Sequence, residues 1–100
     1  MAKVYKLKSK VWLYPGMKGQ WYFVSVPKKE SDAIRVEFGK VARGWGSHRV
    51  EVKVGKAKWR TSIFPESKTG VYLLPLKAAV RKSEGIFEKD EIAYRITILS

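Results

Sequence analysis

The chain has 100 residues, room for one hydrophobic core and little beyond it, so a single domain spanning residues 1–100 is expected. Hydrophobic residues form 45% of it, with four Trp, five Tyr and four Phe, which excludes a disordered segment; the absence of cysteine excludes disulfides and thiolate metal sites. Twenty-one Lys and Arg against nine Asp and Glu give a formal charge of +12, which bears on association with polyanions rather than on fold, unless it reflects only a general excess of lysine.

Residues 4–14 alternate, with Tyr5, Leu7, Ser9, Val11 and Leu13 on one face and Lys6, Lys8 and Lys10 on the other, the pattern of a half-buried strand. Pro15-Gly16 makes a turn into a second strand over residues 20–26, the two forming a hairpin. Trp21 and Phe23 alternate there with Tyr22, Val24 and Val26, and apolar residues on both faces suggest a central strand or the wall of a closed barrel. Ser31 and Asp32 offer N-cap chemistry to a short helix carrying Ile34, Phe38 and Val41, which Gly39 can stop. Residues 39–47, with Gly44-Trp45-Gly46 at their centre, read as a loop. A second hairpin follows: residues 48–54, a turn at Gly55-Lys56, then residues 57–64 with Trp59, Thr61 and Ile63 facing one way and Lys58, Arg60 and Ser62 the other. Residues 71–74 make a fifth strand that Pro75 ends. A helix over residues 76–84 comes next, closed by Gly85 in a left-handed cap. Residues 91–99 make the last strand. The architecture expected is mainly β: a small closed or double-split β-barrel of about six strands with two short helices at its ends, since closure removes exposed strand edges. Trp21, Phe23, Val52, Ile63, Leu73, Ile96 and Ile98 are expected in its core.

No apolar run approaches the roughly 18 residues that a membrane-crossing helix needs. The basic start, Lys3 to Lys10, has no apolar block behind it, so no secretory signal and no membrane association are expected, and the chain reads as cytoplasmic.

Three stretches in order, Trp21-Tyr22-Phe23-Val24-Ser25-Val26-Pro27, Trp59-Arg60-Thr61-Ser62-Ile63-Phe64-Pro65 and Tyr72-Leu73-Leu74-Pro75-Leu76-Lys77-Ala78-Ala79-Val80-Arg81, with Gly44-Trp45-Gly46 before the third strand, resemble the family called domain of unknown function 1905. The resemblance implies a double-split β-barrel, a fold class shared with swapped-hairpin regulators of the AbrB kind, and it implies no particular biochemical role. The sequence departs from the family before its last strand, where Lys89-Asp90 replaces the usual Gly-Asp. Lysine tolerates positive φ poorly, so a different turn is expected there.

Catalytic patterns are lacking. The single histidine, His48, reads as an ordinary half-exposed strand residue, and Thr61-Ser62 lies in a strand without a nucleophile elbow. Glu88, Asp90 and Glu91 read as a solvated turn, and Gly44-x-Gly46 lacks the third glycine of a dinucleotide fingerprint. No catalytic residue, metal or cofactor is therefore expected, and a non-enzymatic binding domain is the reading.

Two constellations are left. Arg43, Trp45, Arg49, Lys53, Lys58 and Arg60 form a basic ribbon that can contact phosphates and stack a base, giving a polyanion site with nucleic acid foremost. The alternative is a solvated outer face with Trp45 folded inward. Lys77 and Arg81, four residues apart near Thr61, Ser62 and Trp59, suit a small anionic ligand at the barrel end, unless their stems merely cover it. A protein-interaction module is the third reading, and nothing in the sequence names its partner.

Overall fold

A computed structural model describes residues 3–14, 21–42 and 44–99, apart from the side chain of Trp45. Its six strands are β1 (Val4–Leu13), β2 (Tyr22–Ser25), β3 (His48–Val54), β4 (Ala57–Pro65), β5 (Tyr72–Leu76) and β6 (Glu91–Ile98). They close into an antiparallel barrel in the order β1-β2-β5-β4-β3-β6, as expected for a chain whose strands are short and whose edges need cover. Two helices, α1 (Lys28–Phe38) and α2 (Ala78–Glu84), complete it, with short 3-10 turns at Gly39–Val41 and Gly44–Gly46. The expected turn at Pro15-Gly16 lies outside the described residues.

The long first strand closes the barrel by serving two partners. Val4 to Lys10 pair with β6, from Val4↔Thr97 to Lys10↔Glu91, whereas Val11 to Leu13 pair with β2, from Val11↔Val24 to Leu13↔Tyr22. A polar chain marks the crossing. Ser9 Oγ donates to the Ser25 carbonyl at 2.8 Å, and having spent its one proton it accepts from the Tyr94 hydroxyl at 2.7 Å. Burial pushes the Tyr94 pKa up to about 12, so this donor stays protonated at any physiological pH. Trp12 Nε1 donates to Ser25 Oγ at 3.0 Å, which ties the outer side of β1 to β2.

Strict alternation on β3 and β6 buries Val50, Val52 and Val54 against Tyr94, Ile96 and Ile98. The expected core holds at Val52, Ile63, Ile96 and Ile98, all buried. It fails at three positions. Trp21 is 49% exposed, and Phe23 and Leu73 are only half-buried, because β2 and β5 turn Val24, Tyr72, Leu74 and Leu76 inward instead. Phe23 therefore lies on the outer surface, where its ring packs on Trp12 at 5.2 Å and on Trp21 at 6.4 Å.

Helix α1 starts four residues earlier than a cap at Ser31 suggests. Its N-cap is Pro27, and Ser31 lies buried in the second turn. The Ser31 hydroxyl donates to the Val26 carbonyl at 3.0 Å and accepts from the Tyr72 amide at 3.0 Å, so it joins β2 to β5 rather than capping its own helix. Pro75 does not end β5 but sits within it, opposite Phe23 of β2. It is tolerated because the ladder to β4 has already stopped, leaving no partner for the missing amide on that side. Helix α2 then begins at Ala78, with Lys77 as its extended N-cap residue and Gly85 as its left-handed C-cap at φ 64°. Lys89 adopts φ 74°, the left-handed conformation that a glycine takes with less strain. Asp90 secures it by accepting from the Phe87 amide at 2.8 Å, and the Lys89 amide donates to the Val11 carbonyl at 2.8 Å.

Candidate functional site

The expected basic ribbon of β3 and β4 is part of a wider surface. Arg49 lies opposite Ser62, Glu51 opposite Arg60, and Lys53 opposite Lys58, all on the outer face as the alternation requires. Pairing of β3 with β6 sets Lys53 opposite Arg95, and pairing of β6 with β1 sets Arg95 opposite Lys6. Lys6, Arg95, Lys53 and Lys58 thus form one row across four adjacent strands. With strands about 4.8 Å apart, the row spans about 14 Å. Lys8 flanks it opposite Ala93, and the small side of Ala93 together with Gly55 leaves a groove of about 560 Å³ that Lys6, Lys8, Lys53 and Arg95 line.

Among the described residues two acids stand on this face, Glu91 opposite Lys10 of β1 and Glu51 opposite Arg60 of β4. Glu51 lies 3.8 Å from Lys58 Nζ and 3.6 Å from Arg60 Nε, which partly neutralises that end of the row. Among the described residues Lys6, Lys53 and Arg95 have no ion-pair partner. Arg43 and the side chain of Trp45 lie outside the described residues. Lys6, Lys8 and Arg95 were not among the sequence candidates: alternation puts the two lysines on the outer face, but only the β1–β6–β3 register brings them to Lys53.

A second constellation lies at the end of the barrel near α2. The ladder between β4 and β5 has only the pairs Phe64↔Leu73 and Pro65↔Tyr72, while β5 stays paired with β2 as far as Tyr22↔Leu76. Where β4 leaves β5, a cavity of about 320 Å³ opens, lined by Trp59, Arg60 and Thr61 on one side and by Trp21, Tyr22, Lys77 and Arg81 on the other. Four of the expected ligand residues, Lys77, Arg81, Thr61 and Trp59, therefore meet there. Ser62 does not: it lies farther along β4 on the face of Arg60, opposite Arg49. Lys77 is not on the helix with Arg81 but immediately before it, where its carbonyl accepts from the Arg81 amide at 3.1 Å. The Arg81 guanidinium is fixed twice: its carbon stacks 3.8 Å from the Tyr22 ring centroid, and its Nε donates to the Leu76 carbonyl at 3.2 Å. Trp21, expected in the core, is a half-exposed wall of this cavity.

His48 departs from expectation. It is fully buried, with the ring of Phe38 edge-on at 6.3 Å and that of Tyr72 at 5.6 Å, and both its nitrogens lack a hydrogen-bond partner among the described residues. Alternation on β3 points it inward with Val50 and Val52, and α1 covers that end of the barrel. Burial holds its pKa below the ordinary 6.5, and it lines neither the groove nor the α2 cavity. No cluster of His, Asp and Glu able to hold a metal occurs among the described residues.

A family model, described as domain of unknown function (DUF1905), matches residues 8–96. The chain belongs to the DUF1905 family. The match runs from the middle of β1 to Ile96 within β6, so it includes every lining residue of the α2 cavity and all of the basic row but Lys6. A search of curated proteins gave no match. The family description assigns no ligand, which leaves function to be argued from the two surfaces themselves.

Proposed function

We propose that this chain is a non-enzymatic binding domain for polyanions, nucleic acid foremost, and that the outer face of β1, β6, β3 and β4 is its contact surface. The row Lys6–Arg95–Lys53–Lys58 carries this reading. Three successive cross-strand pairs of like charge stand directly opposite one another, an arrangement that works against folding. A line of phosphates relieves that repulsion and releases its own counterions on contact, so the cost to the free protein becomes a gain in the complex. The surface offers cations without a recognition helix or a dense set of side-chain acceptors, so it grips backbone and tolerates sequence. Fluorescence anisotropy with labelled single- and double-stranded oligonucleotides at low salt tests it. The paired change Lys53→Ala with Arg95→Ala, at two exposed positions, should weaken binding at least tenfold and leave the fold intact. Equal binding by this variant and the wild type would refute the assignment of the face.

A further inference from the structure

The cavity beside α2 is a site of a different kind from the basic face, and we infer that it binds a nucleotide: a planar base held between aromatic walls, with its phosphate on Arg81, Lys77 and Arg60. The inference does not rest on the polyanion reading, since the row cations Lys6, Arg95, Lys53 and Lys58 do not line this cavity. Three features of the cavity specify the ligand.

Its charge is of one sign. Among the described residues three of its lining residues are cations and none is an acid; Glu51 partly neutralises Arg60 from outside the lining, and Lys77 and Arg81 favour a ligand with more than one negative charge, as a phosphate monoester carries near neutral pH. Its principal cation is already in place. Stacking on Tyr22 and the bond from Nε to Leu76 fix the Arg81 plane, while the two terminal nitrogens make no hydrogen bond with the described residues. A guanidinium held in this way loses little freedom when its fork meets two phosphate oxygens, whereas the exposed Lys77 adds a movable charge. Finally, the walls are aromatic. Trp59 is a buried lining residue, and Trp21, whose ring stacks on Phe23 at 6.4 Å, presents an indole that is still 49% exposed and open to a planar ligand. A volume of about 320 Å³ is at the small end of ligand cavities and fits one nucleotide rather than a chain of them.

The base and phosphate can come from a free mononucleotide or from the phosphorylated end of a nucleic-acid strand. Calorimetric titration with AMP, adenosine, inorganic phosphate and a trinucleotide with and without a 5′-phosphate separates these. AMP should bind at least tenfold more tightly than adenosine or inorganic phosphate, because each of those retains only half of the recognised chemistry. Trp21→Ala and Lys77→Ala, both at exposed positions, should each weaken AMP binding severalfold, and Arg81→Ala should abolish it, with Arg81→Lys recovering only part. If the 5′-phosphorylated trinucleotide binds more tightly than AMP and loses this advantage without its phosphate, the strand end is the ligand; the reverse order identifies the free nucleotide. The paired change at Lys53 and Arg95 should leave AMP binding unaltered, which keeps a failure of the basic face apart from a failure of the cavity. Absence of AMP binding, or AMP binding indifferent to Trp21→Ala and Arg81→Ala alike, would overturn the inference.

Discussion

His48 shows how one buried polar ring couples the fold to pH. Its ring packs edge-on with Phe38 and Tyr72 and its two nitrogens have no hydrogen-bond partner among the described residues, so only the neutral imidazole is tolerated inside. Tyr72, whose ionisation burial pushes upward, stays neutral over the same range. The folded pKa lies below the ordinary 6.5 and the unfolded chain takes up the proton first, so stability is complete above about pH 6.5 and declines as the pH falls below it. Denaturant titrations at pH 7.5 and pH 5 should show this decline, and His48→Phe should flatten it. Asp32, whose paired carboxylate has a pKa lowered from 3.8 by Lys28 first and Arg35 second, acts only at more acidic pH and does not mimic the effect. The burial of His48 was partly readable, since it shares the inward parity of Val50 and Val52. Its place at the end of the strand concealed it, because Phe38 of α1 and Tyr72 of β5, on other elements, cover it there.

At the scale of elements, legibility followed alternation. β1, β3, β4 and β6 alternate polar with apolar residues, and their faces are those the pattern gives. β2 and β5 are apolar on both sides, so nothing local distinguishes Trp21 and Phe23 from Tyr22 and Val24, and the pattern by itself does not say which set faces the core. Pro75 likewise ends a strand by local rule but lies within β5, because the gap beside β4 removes the need for its amide. The turn before β6 illustrates the opposite case, in which backbone demand overrides residue preference. Lys89 holds φ 74° with a side chain that disfavours it, so Lys89→Gly should stabilise the protein by about 1 kcal/mol. Thermal unfolding of the two forms measures this, and a loss of stability in the glycine form would mean that the lysine side chain compensates for its backbone.

Across the whole molecule, the charge is arranged rather than merely abundant. The sequence exposes the excess of +12 and the hairpin that opposes Lys53 to Lys58, but the row of four depends on register between strands at opposite ends of the chain. The cavity at α2 depends on where the β4–β5 ladder stops, which no local pattern marks. If the row is strained by its own charge, Lys53→Glu should convert two repulsive cross-strand pairs into attractive ones and raise stability by about 1 kcal/mol, while reducing polyanion binding. A gain in melting temperature that accompanies a loss of binding is the signature of a surface shaped by its ligand. The central claim is most directly tested by the salt dependence of oligonucleotide binding. Four row cations on duplex phosphates predict a slope of about −3.6 for log affinity against log salt, falling to about −1.8 when Lys53 and Arg95 are both alanine. A slope near zero, or one unchanged by that pair of substitutions, would contradict it.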